Sequence, residues 1–315
     1  LGVSEAPGTR APGRARTLLP ARRLRRGVAK LAQTTALALD PRRVVATWPR
    51  VGPVGENWGD KLNPVLIERI SGRRVVHEHD VVAGWAPAVH AVIGSMLGEL
   101  RGPRWVVWGS GFLRADDRLH LAPAQVRAVR GPASLARAGL DPARTAVGDP
   151  GLLAPLLFDV EAEASGALGL VAHFRDAARG AVDELAGDGV RVIDIRGPLE
   201  DVLHAIRGCR AIVSSSLHGL VAADALGVPN AWITLAGGPR GDGFKFRDYL
   251  ASVGRTALTT PVADRADLER AAARAEGPRR RLDLTALVER CPFADDAARE
   301  RLLRRIPERM PDAFR

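Results

Sequence analysis

Short β-branched runs alternate with helically spaced apolar residues from about residue 44 to residue 260. Runs at 44–48, 74–77, 91–94, 105–108, 125–129 and 145–147 predict one series of strands, and runs at 168–173, 190–194, 211–214 and 228–234 predict a second. Helical spacing over 64–70, 132–138, 176–185, 199–206 and 217–226 supplies the intervening elements. Crossovers of this length join parallel strands and cover both faces of a sheet. The Pro- and Glu-containing stretch 150–166 separates the two series, so the pattern predicts an α/β chain with one unit at 44–150 and another at 165–260. Residues 265–315 are Arg-rich with helical patterns and no strand signal. Residues 1–43 stand apart: 1–16 are mostly Gly, Pro, Ala and Arg with no apolar period, which predicts disorder, and 17–39 carry Leu18, Leu19, Leu24, Val28, Leu31 and Ala32 at loosely helical spacing.

Composition narrows the classes. The 315 residues are 46% hydrophobic and 26% charged, the profile of a folded soluble chain. No apolar run approaches the roughly 20 residues that span a bilayer. Two cysteines, Cys209 and Cys291, are too few for a disulfide framework or a cysteine-based zinc site, which predicts a reducing, cytoplasmic setting. The net charge of +10 is concentrated at the start: residues 1–43 hold ten basic groups against Glu5 and Asp40, and the remainder is nearly neutral. A basic amphipathic stretch at 17–39 suits contact with anionic lipid, so peripheral attachment at the inner membrane face is an expectation. A nearly neutral body argues against nucleic acid as a partner, because that electrostatic footprint would have to lie on the fold.

Ligands of open α/β sheets gather where strand C-termini meet helix N-termini. In the loop Gly55-Glu56-Asn57-Trp58-Gly59-Asp60 two glycines let backbone approach a ligand, and Asp60 can take a proton or hold hydroxyls; Asn63 and Pro64 fit the N-cap and first position of the next helix. Trp108-Gly109-Ser110-Gly111-Phe112 is a small-residue turn that lacks the third glycine of a dinucleotide fingerprint. In Val129-Arg130-Gly131-Pro132-Ala133-Ser134, an arginine beside a helix N-terminus suits a carboxylate or phosphate. Most pointed is Ser214-Ser215-Ser216-Leu217-His218-Gly219, a buried strand running through three serines into a helix. His218 falls in the first turn, where the helix dipole disfavours imidazolium; a neutral ring is expected until an anion docks, and a docked phosphate would make it a general acid. His77 and His79 flank a strand end, and no His or carboxylate cluster argues for a metal.

These loops, with Gly148-Asp149-Pro150, Ala222, Asp224-Ala225, Gly227-Val228-Pro229 and Phe244-Lys245-Phe246-Arg247-Asp248-Tyr249, resemble in order the polysaccharide pyruvyl transferases, over roughly residues 44–255. The resemblance implies two Rossmann-like domains with parallel sheets, GT-B-like, and a helical C-terminal segment (265–315) packing back on the first domain. It implies transfer of the pyruvyl group of phosphoenolpyruvate to two sugar hydroxyls, giving a cyclic ketal on a cell-surface or exopolysaccharide glycan precursor, with phosphoenolpyruvate as co-substrate and no other cofactor. The acceptor would be a sugar or lipid-linked oligosaccharide. His218 is then the candidate acid or the group that steadies departing phosphate, and Asp60 the candidate base or hydroxyl-orienting group. Arg130, Ser214, Ser215, Ser216, Gly219, Lys245 and Arg247 fall on the donor side, and Asn57, Trp58, Gly59 and Ser110 on the acceptor side. Some members of that family carry arginine where this chain has Ser216, so Lys245, Arg247 or Arg130 would have to supply the cation. A nucleotide-sugar-dependent GT-B glycosyltransferase shares the pattern, and a non-catalytic nucleic-acid-binding protein is the remaining alternative.

Overall fold

The computed structural model describes residues 21–40, 42–50, 57–161, 164–177, 180, 182–235, 238, 241–279 and 282–314. Residues 1–20 of the N-terminal tail, and Gly55 and Glu56 of the first loop, lie outside them.

Two parallel sheets form. The first contains β1 (Val44–Thr47), β2 (Val75–His77), β3 (Val89–Ala91), β4 (Trp105–Trp108), β5 (Val126–Val129) and β6 (Ala146–Val147), in the order β2-β1-β3-β4-β5-β6. The second contains β7 (Leu168–Val171), β8 (Val190–Val192), β9 (Ala211–Ser214), β10 (Asn230–Thr234) and β11 (Thr260–Pro261), in the order β11-β10-β9-β7-β8. Central strands such as β7 and β9 are buried at every residue, which is why they read as unbroken apolar runs. The fold is the two-unit Rossmann-like α/β architecture with a helical C-terminal segment. Both sheets reverse direction in the same way: order turns back between β1 and β3 in one and between β7 and β9 in the other. Ligands of doubly wound sheets bind at such switch points, beyond the strand C-termini.

Several boundaries differ from the sequence expectation for identifiable reasons. The helix expected from residue 64 begins at Trp58 and runs to Ser71, with Asn57 rather than Asn63 as N-cap. Pro64 therefore lies inside it, without an N–H for the Asp60 carbonyl. Asn63 compensates: its Nδ2 reaches the carbonyls of Gly59 (3.0 Å), Asp60 (3.4 Å) and Ile93 (3.2 Å), and its Oδ1 accepts from the Ile93 N–H at 2.9 Å. Side-chain amide thus replaces the missing backbone donor and ties the helix to the end of β3. The expected strand at 91–94 forms at 89–91 instead, because the chain turns at Gly94 (φ 136°) toward the cleft. Of the helix expected over 176–185, the described residues form the helix Phe174–Ala177, and Gly180 has a positive φ (70°). The segment 265–315 divides rather than moving as one: Arg265–Ala272 covers the second sheet, while helices Leu284–Glu289 and Asp296–Arg309 return to the first. There Trp108 Nε1 donates to the Leu287 carbonyl at 2.9 Å, and Phe293 meets the Trp108 ring edge-on at 5.3 Å.

The two units share one hydrophobic core, running from Trp58 and Ile67 through Leu152 and Val221 to Leu302. Helix 58–71 packs on helix Leu199–Arg207, with Trp58 N–H donating to Ile195 O (3.0 Å) and Lys61 Nζ to Arg196 O (2.6 Å). On the opposite flank, helix Pro132–Arg137 packs on helix Phe244–Ser252. Between these seams the strand C-termini of both sheets face one cleft.

Candidate active site

A cavity of about 180 Å³ lies in that cleft, lined from the first unit by Asn57, Asp60, Ser95 and Glu99 and from the second by His173, Ser216, His218 and Lys245, among others. Every one of these residues follows a strand C-terminus. Asn57 and Asp60 come after β1, Ser95 and Glu99 after β3, His173 after β7, Ser216 and His218 after β9, and Lys245 after β10. The cavity is the meeting of both switch points.

Helix Leu217–Ala225 aims its N-terminus here, with Ser216 as N-cap and no side chain capping its first turn. Its free N–H groups and positive end favour an anion. His218 is 8% exposed. Asn57 Nδ2 stands 2.9 Å from His218 Nδ1 and donates to it, which leaves the proton of the neutral ring on Nε2. The Asn57 Oδ1 is buried with no hydrogen-bond partner. Burial, reinforced by Lys245, His173 and Arg130, pushes the His218 pKa down to about 3, so the ring is neutral. Asp60 behaves oppositely: burial raises its pKa to about 7, against the pull of Lys245. Without an anion bound, Asp60 rather than His218 holds the exchangeable proton near neutrality.

Gly59 explains the ring's position. A Cβ there would fall 2.3 Å from His218 Cε1 and 2.4 Å from both ring nitrogens. Helix propensity favours alanine over glycine by about 1 kcal/mol, so only the imidazole's approach demands the glycine. Gly59→Ala is expected to lower turnover by ~10²-fold through displacement of the ring, without lowering the melting temperature, as parallel rate and unfolding measurements would register.

Other sequence candidates sit elsewhere. Arg130 is fully buried, and its guanidinium faces away from open space: Nη2 bonds Asp248 Oδ2 (3.0 Å) and Phe112 O (2.6 Å), and Nη1 bonds Ser95 Oγ (2.7 Å). Asp248 also accepts from Ser134 N–H (2.8 Å) and Ser134 Oγ (2.6 Å), so this cluster locks the two units together. At Gly131 a Cβ would come within 2.0 Å of the Asp248 carbonyl oxygen, which is why the turn after β5 is glycine. Arg247 is half-exposed beside Asp242 and does not line the cavity. Ser110 donates to Gly94 O at 3.0 Å and shapes the turn. Trp58 is core, with Nε1 on Leu199 O at 3.3 Å. Ser214 ties Val171 O (2.8 Å) to the Ser216 turn, and Gly219 leaves room for that hydroxyl, 2.4 Å from where its Cβ would be. Ser215 joins Asp176 Oδ2 (2.7 Å) to the His173 N–H (2.9 Å). The motif residues Asp224 and Tyr249 form a buried brace with Asn230 and Arg255, with Tyr249 Oη 2.7 Å from Asp224 Oδ2.

His173, Ser95 and Glu99 were missed as site residues. Each follows a strand that borders a switch point, a position that only strand order reveals. Among the described residues, no group of three or more His, Cys, Asp or Glu residues could hold a metal ion, and no helix is long and apolar enough to cross a membrane.

Residues 95–236 match the family model described as polysaccharide pyruvyl transferase. The chain is 30% identical over 209 residues to an uncharacterized protein of Acanthamoeba polyphaga mimivirus, covering 63% of this chain and 71% of that protein. It is 28% identical over 221 residues to the succinoglycan biosynthesis protein ExoV of Rhizobium meliloti, covering 67% of this chain and 66% of that one. Among solved structures, a UDP-GlcNAc 2-epimerase from Methanocaldococcus jannaschii aligns over 90% of this chain and 82% of its own, at 14% identity and a TM-score of 0.36.

Proposed function

Since the chain belongs to the polysaccharide pyruvyl transferase family, we propose that it moves the pyruvyl group of phosphoenolpyruvate onto two hydroxyls of a sugar, closing a cyclic ketal on an exopolysaccharide precursor and releasing inorganic phosphate. The observation that carries this reading is the cavity itself: an uncapped helix N-terminus, Lys245 and His173 on one wall, and Asn57 and Asp60 on the other. The first wall suits a small dianion or trianion, and the second suits hydroxyls. Lys245 supplies the cation that Ser216 does not.

The chemistry requires a proton delivered to the methylene carbon of the enol, which makes C2 electrophilic. One hydroxyl then adds to C2, the C2–O bond to phosphate breaks, and the second hydroxyl closes the ring. Two hydroxyl protons are released, one balancing the new methyl group and one leaving with phosphate. Asp60, with its pKa raised to about 7 by burial, is the group best suited to hold the first proton. A bound anion raises that pKa further and keeps the carboxyl protonated. His218, neutral and oriented by Asn57, donates from Nε2 to the departing phosphate, as a neutral imidazole can. For His218 this is the second of the two roles expected from the sequence, an acid or the group that steadies departing phosphate; for Asp60 it differs from the expectation of a base or a hydroxyl-orienting group.

A nucleotide-sugar-dependent glycosyltransferase fits less well, because about 180 Å³ suits a three-carbon phosphate better than a nucleoside diphosphate sugar. The test is incubation with phosphoenolpyruvate and a panel of oligosaccharide acceptors. Acceptor-dependent phosphate release, with a ketal methyl signal in the product, is expected; nucleoside diphosphate release from a nucleotide sugar would sink the proposal.

A further inference from the structure

Several of the exposed large apolar side chains lie on or beside the N-terminal helix, and the helix itself carries charge of one sign. Helix Ala21–Leu39 contains Arg22, Arg23, Arg25, Arg26 and Lys30 and no acidic residue. Residues 25–32 are all exposed, and further along the buried Thr34 fastens the helix, accepting at Oγ1 from the Val82 N–H (2.8 Å). Val28 and Leu31, one helical turn apart, are each 62% exposed. Trp85, three residues beyond the Val82 anchor, is 61% exposed. Of the five large hydrophobics that are exposed among the described residues, three therefore belong to this one corner. Of the two acidic residues in the turn beneath the helix, Glu78 and Asp80, Asp80 is already paired with Arg50, Nη2 to Oδ1 at 2.8 Å.

We propose that helix 21–39 and the loop carrying Trp85 dock the protein on an anionic lipid bilayer. Two aliphatic side chains and one indole are too small a patch for a stable protein interface, which buries 1,000 Å² or more as a rough threshold. They are the usual equipment of an interfacial helix, whose apolar stripe enters the acyl boundary while flanking cations meet headgroup phosphates. Tryptophan prefers the same depth. Each basic side chain near such a surface strengthens binding roughly five-fold, a gain that salt screens. The anchoring turn follows the C-terminus of β2. This inference does not depend on which donor the cavity takes.

The experiment is co-sedimentation of the full chain with phosphatidylcholine vesicles, with and without phosphatidylglycerol, at low and high salt. Binding is expected only with phosphatidylglycerol, with release by salt. Val28→Asp with Leu31→Asp, and separately Trp85→Ala, should each weaken it by ~10-fold or more with unchanged thermal unfolding, since these side chains are exposed. The proposal is overturned if the wild-type chain stays in the supernatant, if it binds neutral vesicles equally, or if the variants bind as well as the parent. It is also overturned if gel filtration shows that the same substitutions dissolve a dimer, because the patch would then be an interface between copies.

Discussion

Asp60→Asn is expected to slow phosphate release from phosphoenolpyruvate by about 10²–10⁴-fold, the scale of a positioned acid or base. Asparagine keeps the shape and still bonds hydroxyls, so binding of donor and acceptor should change far less than turnover. The paired result is His218→Gln. Glutamine can donate a hydrogen bond but cannot deliver a proton, so a neutral, donating His218 predicts substantial residual activity, whereas His218→Ala should approach the Asp60→Asn loss. The pH profile gives an independent reading. With the Asp60 pKa raised to about 7, kcat/KM should be high below that pH and fall above it as the carboxyl ionises. Donor binding moves the corresponding limb of kcat to higher pH, because a bound anion favours the protonated acid. In kcat/KM, which reports the free enzyme, no limb from His218 is expected above about pH 4, since its pKa there lies at about 3. A glutamine variant as dead as the alanine one, together with a profile that rises through pH 7, would return the proton to His218 and make Asp60 the base.

Arg130→Ala is expected to act on the fold before it acts on the reaction. Both Arg130 and Asp248 have no exposed side-chain surface, and the carboxylate has no other cation within salt-bridge distance among the described residues. Removing one partner of such a pair leaves a buried, uncompensated charge and typically costs about 3–5 kcal/mol. Urea denaturation should show that loss directly. Replacing Arg130 and Asp248 together by methionine and leucine should recover much of it, because burying apolar groups of similar size removes the desolvation penalty on both sides. An arginine that served chiefly as a donor ligand would behave differently: the single variant would unfold at the parental denaturant concentration while its KM for phosphoenolpyruvate rose.

Much of the fold was legible along the chain. Parallel strands buried on both faces have to be apolar throughout, so β4 and β9 appear in the sequence with their observed bounds. His218 and Asp60 were legible as chemistry because both stand just beyond a strand, in the first turn of the helix that follows, with glycines beside them. Less legible was anything that depends on which strand lies next to which. The short strand β11, two residues long, has too little periodicity to register and exists only because it pairs with β10. His173 and Ser95 look like ordinary loop residues until the order β2-β1-β3 and its counterpart in the second sheet place both switch points at one cleft.

Sequence by itself determined the α/β alternation, the division into two units and the helix-terminal position of His218, because these follow from local period, turn chemistry and residue type. Tertiary structure alone decided what each polar group is worth. Arg130 and Arg247 read alike as loop cations, but packing buried one against Asp248 and left the other on the surface. Asp60 read as a base or a hydroxyl-orienting group and His218 as an acid or a phosphate-steadying group, but enclosure in one cavity disfavoured the charged form of both and left the proton on the carboxyl. Desolvation is a property of surroundings that residues from distant parts of the chain create together, so no local window of sequence contains it.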